Sequence, residues 1–153
     1  MIYIEALNDI TEYSKEAPLQ KPVLFLAGGI TNCPNWQEKI VNYLKNEDIY
    51  ILNPRRKNFP IDDPNASEEQ IRWEFNALQL ADIISFWFPK ETLCPITLYE
   101  LGFWNNSEKP IIIGMDKEYK RKQDVIIQSK LIRDTVNINY TLKELAKNII
   151  EYL

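Results

Sequence analysis

Residues 23–30 read Val-Leu-Phe-Leu-Ala-Gly-Gly-Ile, an unbroken apolar run closed by a pair of glycines. A run of that kind fits a strand buried on both faces of a parallel sheet, and the glycines predict a tight turn at its carboxyl end. Downstream, Trp36, Ile40, Val41 and Leu44 recur at helical spacing, with Pro34 suited to a first helical turn. Tyr50–Leu52 is a short strand stopping at Asn53-Pro54, and the polar stretch from Arg55 to Ala66, with Pro60 and Pro64, is a loop. Ser67 with Gln70 forms a capping box, and Ile71, Phe75 and Leu78 supply a helical stripe behind it. Ile83–Phe88 is the next buried strand; Pro95 opens a helix running through Phe103 and ended by Asn105-Asn106-Ser107. Ile111–Ile113 and Val136–Ile138 are further strands. Thr141 and Glu144 cap a last helix, Leu142–Leu153, with Leu145, Ile149 and Tyr152 inward. The alternation of strands and helices predicts a doubly wound α/β fold, with a mostly parallel sheet of about five strands.

The chain has 153 residues and 45% hydrophobic content, enough for a single domain over residues 1–153. Residues 1–20 form an N-terminal extension in which Ile2–Leu7 is a candidate edge strand. A net charge of −4 argues against a nucleic-acid partner, and the one basic cluster, Lys117–Lys122, is broken by Glu118 and Tyr119 and reads as a solvated loop or helix face. Met1–Leu7 lacks the basic start of a signal peptide, and no apolar run has membrane-spanning length, so a cytoplasmic location without a membrane partner is expected. Cys33 and Cys94 have no metal-pair spacing. The chain has no histidine, which excludes a Ser-His-Asp triad, a Cys-His dyad and His-ligated zinc. Acid–base chemistry must fall to carboxylates, Tyr, Lys or Cys.

In a doubly wound sheet the ligand site lies beyond the carboxyl ends of the strands. Gly28–Thr31, Asn53–Arg56, Pro89–Pro95 and Gly114–Asp116 are expected to converge there. Two carboxylates fall among apolar helical stripes: Glu100 with Ile96, Tyr99 and Phe103, and Glu74 with Ile71, Phe75 and Leu78. A buried carboxylate costs several kcal/mol unless paired or neutralised. Each therefore either sits in a structural ion-pair network, with Arg72 or Arg56 as partners, or lines a cleft and does chemistry. Gly102, two residues past Glu100, would admit a neighbouring backbone. Gly28-Gly29 fits neither nucleotide-loop spacing and more simply permits close approach of a ligand or helix. Asn53-Pro54-Arg55-Arg56 is either a turn with solvated charges or a phosphate or carboxylate clamp. Trp73, Phe86, Trp87 and Trp104 read as core aromatics, with Trp87 and Phe88 open to the alternative of stacking on a flat base.

The segments Phe25–Ile30, Asn53-Pro54-Arg55, Gln70–Glu74, Ala81-Asp82 and Pro95–Gly102 together resemble the nucleoside 2-deoxyribosyltransferase family, in its divergent deoxyribosyltransferase-like branch, over about Val23 to Asp134. That resemblance implies a Rossmann-like (flavodoxin-like) fold, a homo-oligomer, no cofactor or metal, and cleavage of the N-glycosidic bond of a 2′-deoxynucleoside with transfer of the sugar to another base. The Glu-Leu-Gly element puts the nucleophile at Glu100, and the carboxylate of the preceding helix matches Glu74, with Asp82 eight residues on. Gly28, Gly29, Ile30, Asn53, Arg55, Arg56, Asp82, Trp87 and Thr97 are the expected contacts to a nucleoside or nucleotide. The chain departs from the family pattern in carrying Glu instead of Asp at residue 74, Cys94 where an Asp commonly lies, and Leu24 where an aromatic hydroxyl is expected. In the family the neighbouring subunit completes the pocket, a place that the region Arg133-Asp134-Thr135 would take. A nucleoside or nucleotide N-glycosidase and a degenerate nucleotide-binding module are the alternatives.

Overall fold

The structure is a computed structural model describing residues 1–11, 21–58 and 65–153; the latter part of the N-terminal extension and the centre of the expected Arg55–Ala66 loop lie outside the described residues. Six parallel strands form one sheet: β1 (Ile2–Glu5), β2 (Val23–Gly28), β3 (Tyr50–Asn53), β4 (Ile83–Phe88), β5 (Ile111–Met115) and β6 (Ile138–Asn139), in the order β1-β3-β2-β4-β5-β6. The edge strand expected at the N-terminus pairs with β3, from Ile2 against Tyr50 to Glu5 against Asn53. It brings the sheet to six strands where about five were expected.

Consecutive strand residues point to opposite faces, and the apolar runs fill both. Leu24, Leu26, Ile51 and Ile83 pack under α1 (Trp36–Tyr43) and α5 (Leu142–Tyr152), together with Trp36, Ile40, Leu145 and Ile149. Phe25, Ala27, Ile84, Phe86, Phe88 and Ile113 pack under α2 (Ala66–Leu80), α3 (Pro95–Trp104) and α4 (Lys122–Ile132), against Trp73, Ala77, Leu101, Trp104 and Val125. After β2 the chain turns to β3 on one side, then returns to place β4 on the other. This reversal is a topological switch point, and it opens a crevice at the carboxyl ends of β2 and β4.

The start of α5 forms as its sequence predicts, whereas α1 begins at Trp36, so that Pro34 lies just outside it and not in its first turn. Asn35 Oδ1 accepts the Glu38 N–H at 3.2 Å to cap α1, and Thr141 Oγ1 accepts the Glu144 N–H at 3.1 Å to cap α5. The Ser67–Gln70 capping box does not form: α2 begins at Ala66 after Asn65, and Gln70 turns elsewhere. Helix α4 was not anticipated, because its buried face is narrow, with Val125 and Ser129 inward. Tyr152 is exposed and not inward, beside Pro110 and Ile111 at the start of β5.

The largest correction concerns the helix stripes. The inward faces of α2 and α3 are Trp73, Ala77, Leu78 and Leu80, and Thr97, Leu101 and Trp104, so Leu78 alone of the expected α2 stripe is buried. Ile71, Phe75, Ile96, Tyr99 and Phe103, expected in the core, are 58–78% exposed. Both helices are apolar on two faces, so periodicity alone did not say which one the sheet takes. Gly102 is also exposed, and a Cβ added there would meet nothing within 4 Å.

Candidate active site

The crevice at the switch point is a cavity of about 330 Å³, within the range of small-molecule sites. Its floor is the end of β2 and the turn after it, Gly28, Gly29, Ile30 and Thr31. Pro54 closes one end, the Cys94–Thr97 start of α3 forms a wall, and Glu74 and Glu100 project from α2 and α3. Gly114–Asp116 does not reach it, so three of the four expected segments converge. Among the described residues its lining holds two carboxylates and no Lys or Arg.

The glycines are there for packing. A Cβ on Gly28 would lie 2.4 Å from the Trp36 ring and 2.5 Å from the Trp87 carbonyl; one on Gly29 would lie 2.8 Å from Pro89 and 3.0 Å from Cys94 Sγ. The Gly29 carbonyl accepts hydrogen bonds from Trp36 Nε1 at 2.8 Å and Gln37 Nε2 at 3.2 Å, which pins the turn to α1.

Neither carboxylate is ion-paired among the described residues. Arg72 bonds to Glu68 instead, on the outer face of α2. Glu74 Oε1 accepts one hydrogen bond, from Gln70 Nε2 at 2.7 Å. Burial pushes its pKa up, and the Gln70 bond opposes that shift. Burial, and then the negative charge of Glu74, push Glu100 up to about 8. The charge of Glu74 thus holds back the ionisation of Glu100, and two groups coupled in this way titrate as a pair. Cys94 occupies the left-handed region at φ 50° ahead of α3, and burial drives its thiol up to about 12, so it is no substitute for an acidic group. Of the β2 residues, Phe25 lines the cavity while Leu24 faces the opposite core, so no strand hydroxyl enters the site.

Glu100, Glu74, Gly28, Gly29, Ile30 and Thr97 therefore meet around one cavity. The other expected contacts lie elsewhere. Trp87 is buried on the opposite face of the sheet against Gly114 and Leu145 and is a core aromatic. Asp82 accepts the Val23 N–H at 3.0 Å, at the start of β2 and the far end of the sheet from the crevice. Asn53 Oδ1 accepts the Arg55 N–H, closing a turn. The Arg55 guanidinium donates to the carbonyls of Ile30, Cys33 and Pro34 and to Gln37 Oε1, at 2.6–2.9 Å, so it stitches the turn after β2 and is no anion clamp. Arg55 and Arg56 border a separate cavity with Tyr3, Glu5 and Glu38. Arg133 is likewise committed within its own chain, to the carbonyls of Asn105, Ser107 and Lys109 beyond α3. The residue overlooked was Gln70, although a glutamine four positions before a glutamate on one helix signals such a contact.

The family model described as nucleoside 2-deoxyribosyltransferase like matches residues 21–119, a span containing every residue that lines the cavity. No curated protein matches the chain.

Proposed function

This chain belongs to the nucleoside 2-deoxyribosyltransferase-like family, and from the site it carries we propose that it cleaves the N-glycosidic bond of a 2′-deoxynucleoside and passes the sugar to a second base. The observation that supports this most is the pair Glu74 and Glu100, both facing one cavity, without a cation and with raised pKa values.

Glu100 attacks the anomeric carbon as a carboxylate, forming a glycosyl ester as the C–N bond breaks. Glu74, protonated, gives its proton to the departing base nitrogen, and the bond's electron pair leaves with the base. An incoming base then attacks the same carbon, its N–H proton returns to Glu74, and Glu100 is released as carboxylate. The pair must hold one proton in total, which the charge of an ionised Glu74 favours by holding a proton on Glu100 up to about pH 8. At rest the raised pKa of Glu100 holds that proton there; the reacting form is the one in which the proton has passed to Glu74 and Glu100 is the carboxylate.

The acidic lining, without a cation among the described residues, favours an uncharged nucleoside over a 5′-nucleotide. The absence of a carboxylate at Cys94 and of the strand hydroxyl expected at Leu24 supports a second reading, a binding module that does not turn its ligand over. Incubation with a deoxynucleoside and a different free base, followed by chromatography, decides among these. A new nucleoside is expected; free sugar without exchange would mean an N-glycosidase, and intact substrate with measurable binding would mean the module.

The proposal includes a homo-oligomer. Ile71, Phe75, Ile96, Tyr99 and Phe103 make one exposed apolar face across α2 and α3, which Glu74 and Glu100 also border. At roughly 100 Å² for each side chain the face exposes about 500 Å², larger than the scattered apolar surface of a monomer. Two such faces about a twofold axis bury about 1,000 Å², at the threshold of a specific interface. A second copy seated there would close the outer side of the carboxylate pair.

A further inference from the structure

The Asn53-Pro54-Arg55 turn and Gln70 lie one step behind the reacting groups. The turn closes when Asn53 Oδ1 accepts the Arg55 N–H at 3.0 Å, and Asn53 Nδ2 donates to the Tyr3 hydroxyl at 2.7 Å. It presents the Pro54 carbonyl to Gln70, whose Nε2 donates to Pro54 O at 2.7 Å and to Glu74 Oε1 at 2.7 Å. Both neighbours of the amide are acceptors, so only the nitrogen can face them. The consequence falls on the other end of the amide: Gln70 Oε1 is buried without a hydrogen-bond partner among the described residues. Native proteins rarely leave a buried acceptor unsatisfied without a reason. Here the arrangement gives up one acceptor to deliver both amide hydrogens to the end of β3 and to Glu74.

We propose that Gln70 is a positioning residue: tethered to the Pro54 carbonyl, it aims the Glu74 carboxylate into the cavity and supplies the one hydrogen bond that stabilises its charged form. This rests on the acid–base role given to Glu74 above. The charged groups around the pair are few. Glu100 approaches from α3, Cys94 lines the same cavity from the loop before α3, and Tyr99 borders the outer side; among the described residues no Lys or Arg lines either cavity that holds the pair. A donor to the charged form of Glu74 therefore has a large say in which carboxylate carries the shared proton. Gln70 keeps Glu74 from retaining its proton too tightly, so that the proton can pass to the leaving base.

The test is Gln70→Met, which keeps the side-chain length and removes the donor, with Gln70→Glu as a second variant of the same shape. The Glu74 carboxyl is followed by carbon-13 NMR through a pH titration of glutamate-labelled protein, its resonance assigned by its loss in Glu74→Gln. In Gln70→Met the Glu74 midpoint is expected to rise by about one unit, a tenfold change in its proton equilibrium. The acid limb of kcat/KM should rise with it, and kcat should fall while KM holds. Gln70→Glu, which adds a negative neighbour, should raise the midpoint further. An unmoved Glu74 midpoint in either folded variant overturns the proposal, and so does lost activity with an unmoved acid limb. If the wild-type protein turns over no nucleoside but the midpoint still moves, the positioning stands and the reaction assigned to the pair falls.

Discussion

Glu74 and Glu100 face one cavity from successive helices, and the charge on Glu74 helps to keep Glu100 protonated up to about pH 8. A carboxyl whose pKa is raised by folding binds its proton more tightly in the folded chain. Folding is then favoured most below the ordinary value near 4.5, and that advantage is lost as pH rises through about 8. The melting temperature of the wild-type protein is therefore expected to fall between about pH 5 and pH 8.5. Glu100→Gln, a neutral mimic, should flatten the curve and be the more stable protein above about pH 8, while losing at least ~10³-fold in turnover. Parallel wild-type and variant curves in circular-dichroism melts would show that Glu100 is not the titrating group.

The same coupling can be read from the other partner. Burial is the larger cause of the Glu100 shift and the charge of Glu74 the smaller. Glu74→Gln removes only the second, so Glu100 should titrate lower than in the wild type yet still above an ordinary glutamate. Carbon-13 titration of the Glu100 carboxyl measures this, and a midpoint unchanged by the substitution would mean that the two groups do not communicate.

Two glycines of the site region should respond oppositely to alanine. Gly28→Ala drives a Cβ to 2.4 Å from Trp36 and 2.5 Å from the Trp87 carbonyl, and the carbonyl cannot swing aside. Overpacking of this kind costs about 1–3 kcal/mol. Gly102→Ala meets nothing within 4 Å in mid-helix and should stabilise the isolated chain by about 0.5–1 kcal/mol. Urea unfolding of the two variants compares them directly.

The central strands were legible because each is buried on both faces, and an unbroken apolar run such as Val23–Ala27 has no other comfortable place. The carboxylates were legible because Glu74 and Glu100 interrupt apolar stripes. Most of those stripe positions were assigned to the wrong side: Ile71 and Phe75 face outward while Trp73, Ala77 and the expected Leu78 meet the core, and a helix apolar on two faces gives its periodicity to both. The role of Arg55 was hidden for a different reason. Its partners are the backbone carbonyls of Ile30, Cys33 and Pro34, more than twenty residues away, and carbonyls leave no mark in a sequence.

The exposed stripe yields its own expectation. Phe75 and Phe103 lie on the apolar face of α2 and α3 but outside the lining of the main cavity. Phe75→Glu with Phe103→Glu should leave the fold intact, because both rings are more than half exposed, and should convert an oligomer to a monomer. Light scattering after size-exclusion chromatography checks this. A wild-type protein already monomeric at tens of micromolar would remove the second copy from the scheme.

Arg55 decides between substrate classes and ties the turn after β2 in place. Its guanidinium hydrogen bonds run to three carbonyls and Gln37, and the cavity that holds the carboxylates contains no cation among the described residues. A 5′-phosphate brought there would meet two acidic groups without a counter-charge, so a deoxynucleoside should compete far better than its 5′-monophosphate, by tenfold or more, about 1.4 kcal/mol. Arg55→Lys keeps the positive charge but cannot reach four acceptors in a planar fork, so the Ile30–Pro34 segment should loosen. The expected result is a raised KM for the nucleoside, a melting temperature lowered by several degrees, and no change in the preference against phosphate. Were Arg55 a phosphate ligand instead, the substitution would alter the ratio of nucleotide to nucleoside affinity while leaving the nucleoside KM alone. Measuring both constants on both proteins separates a stitch from a clamp.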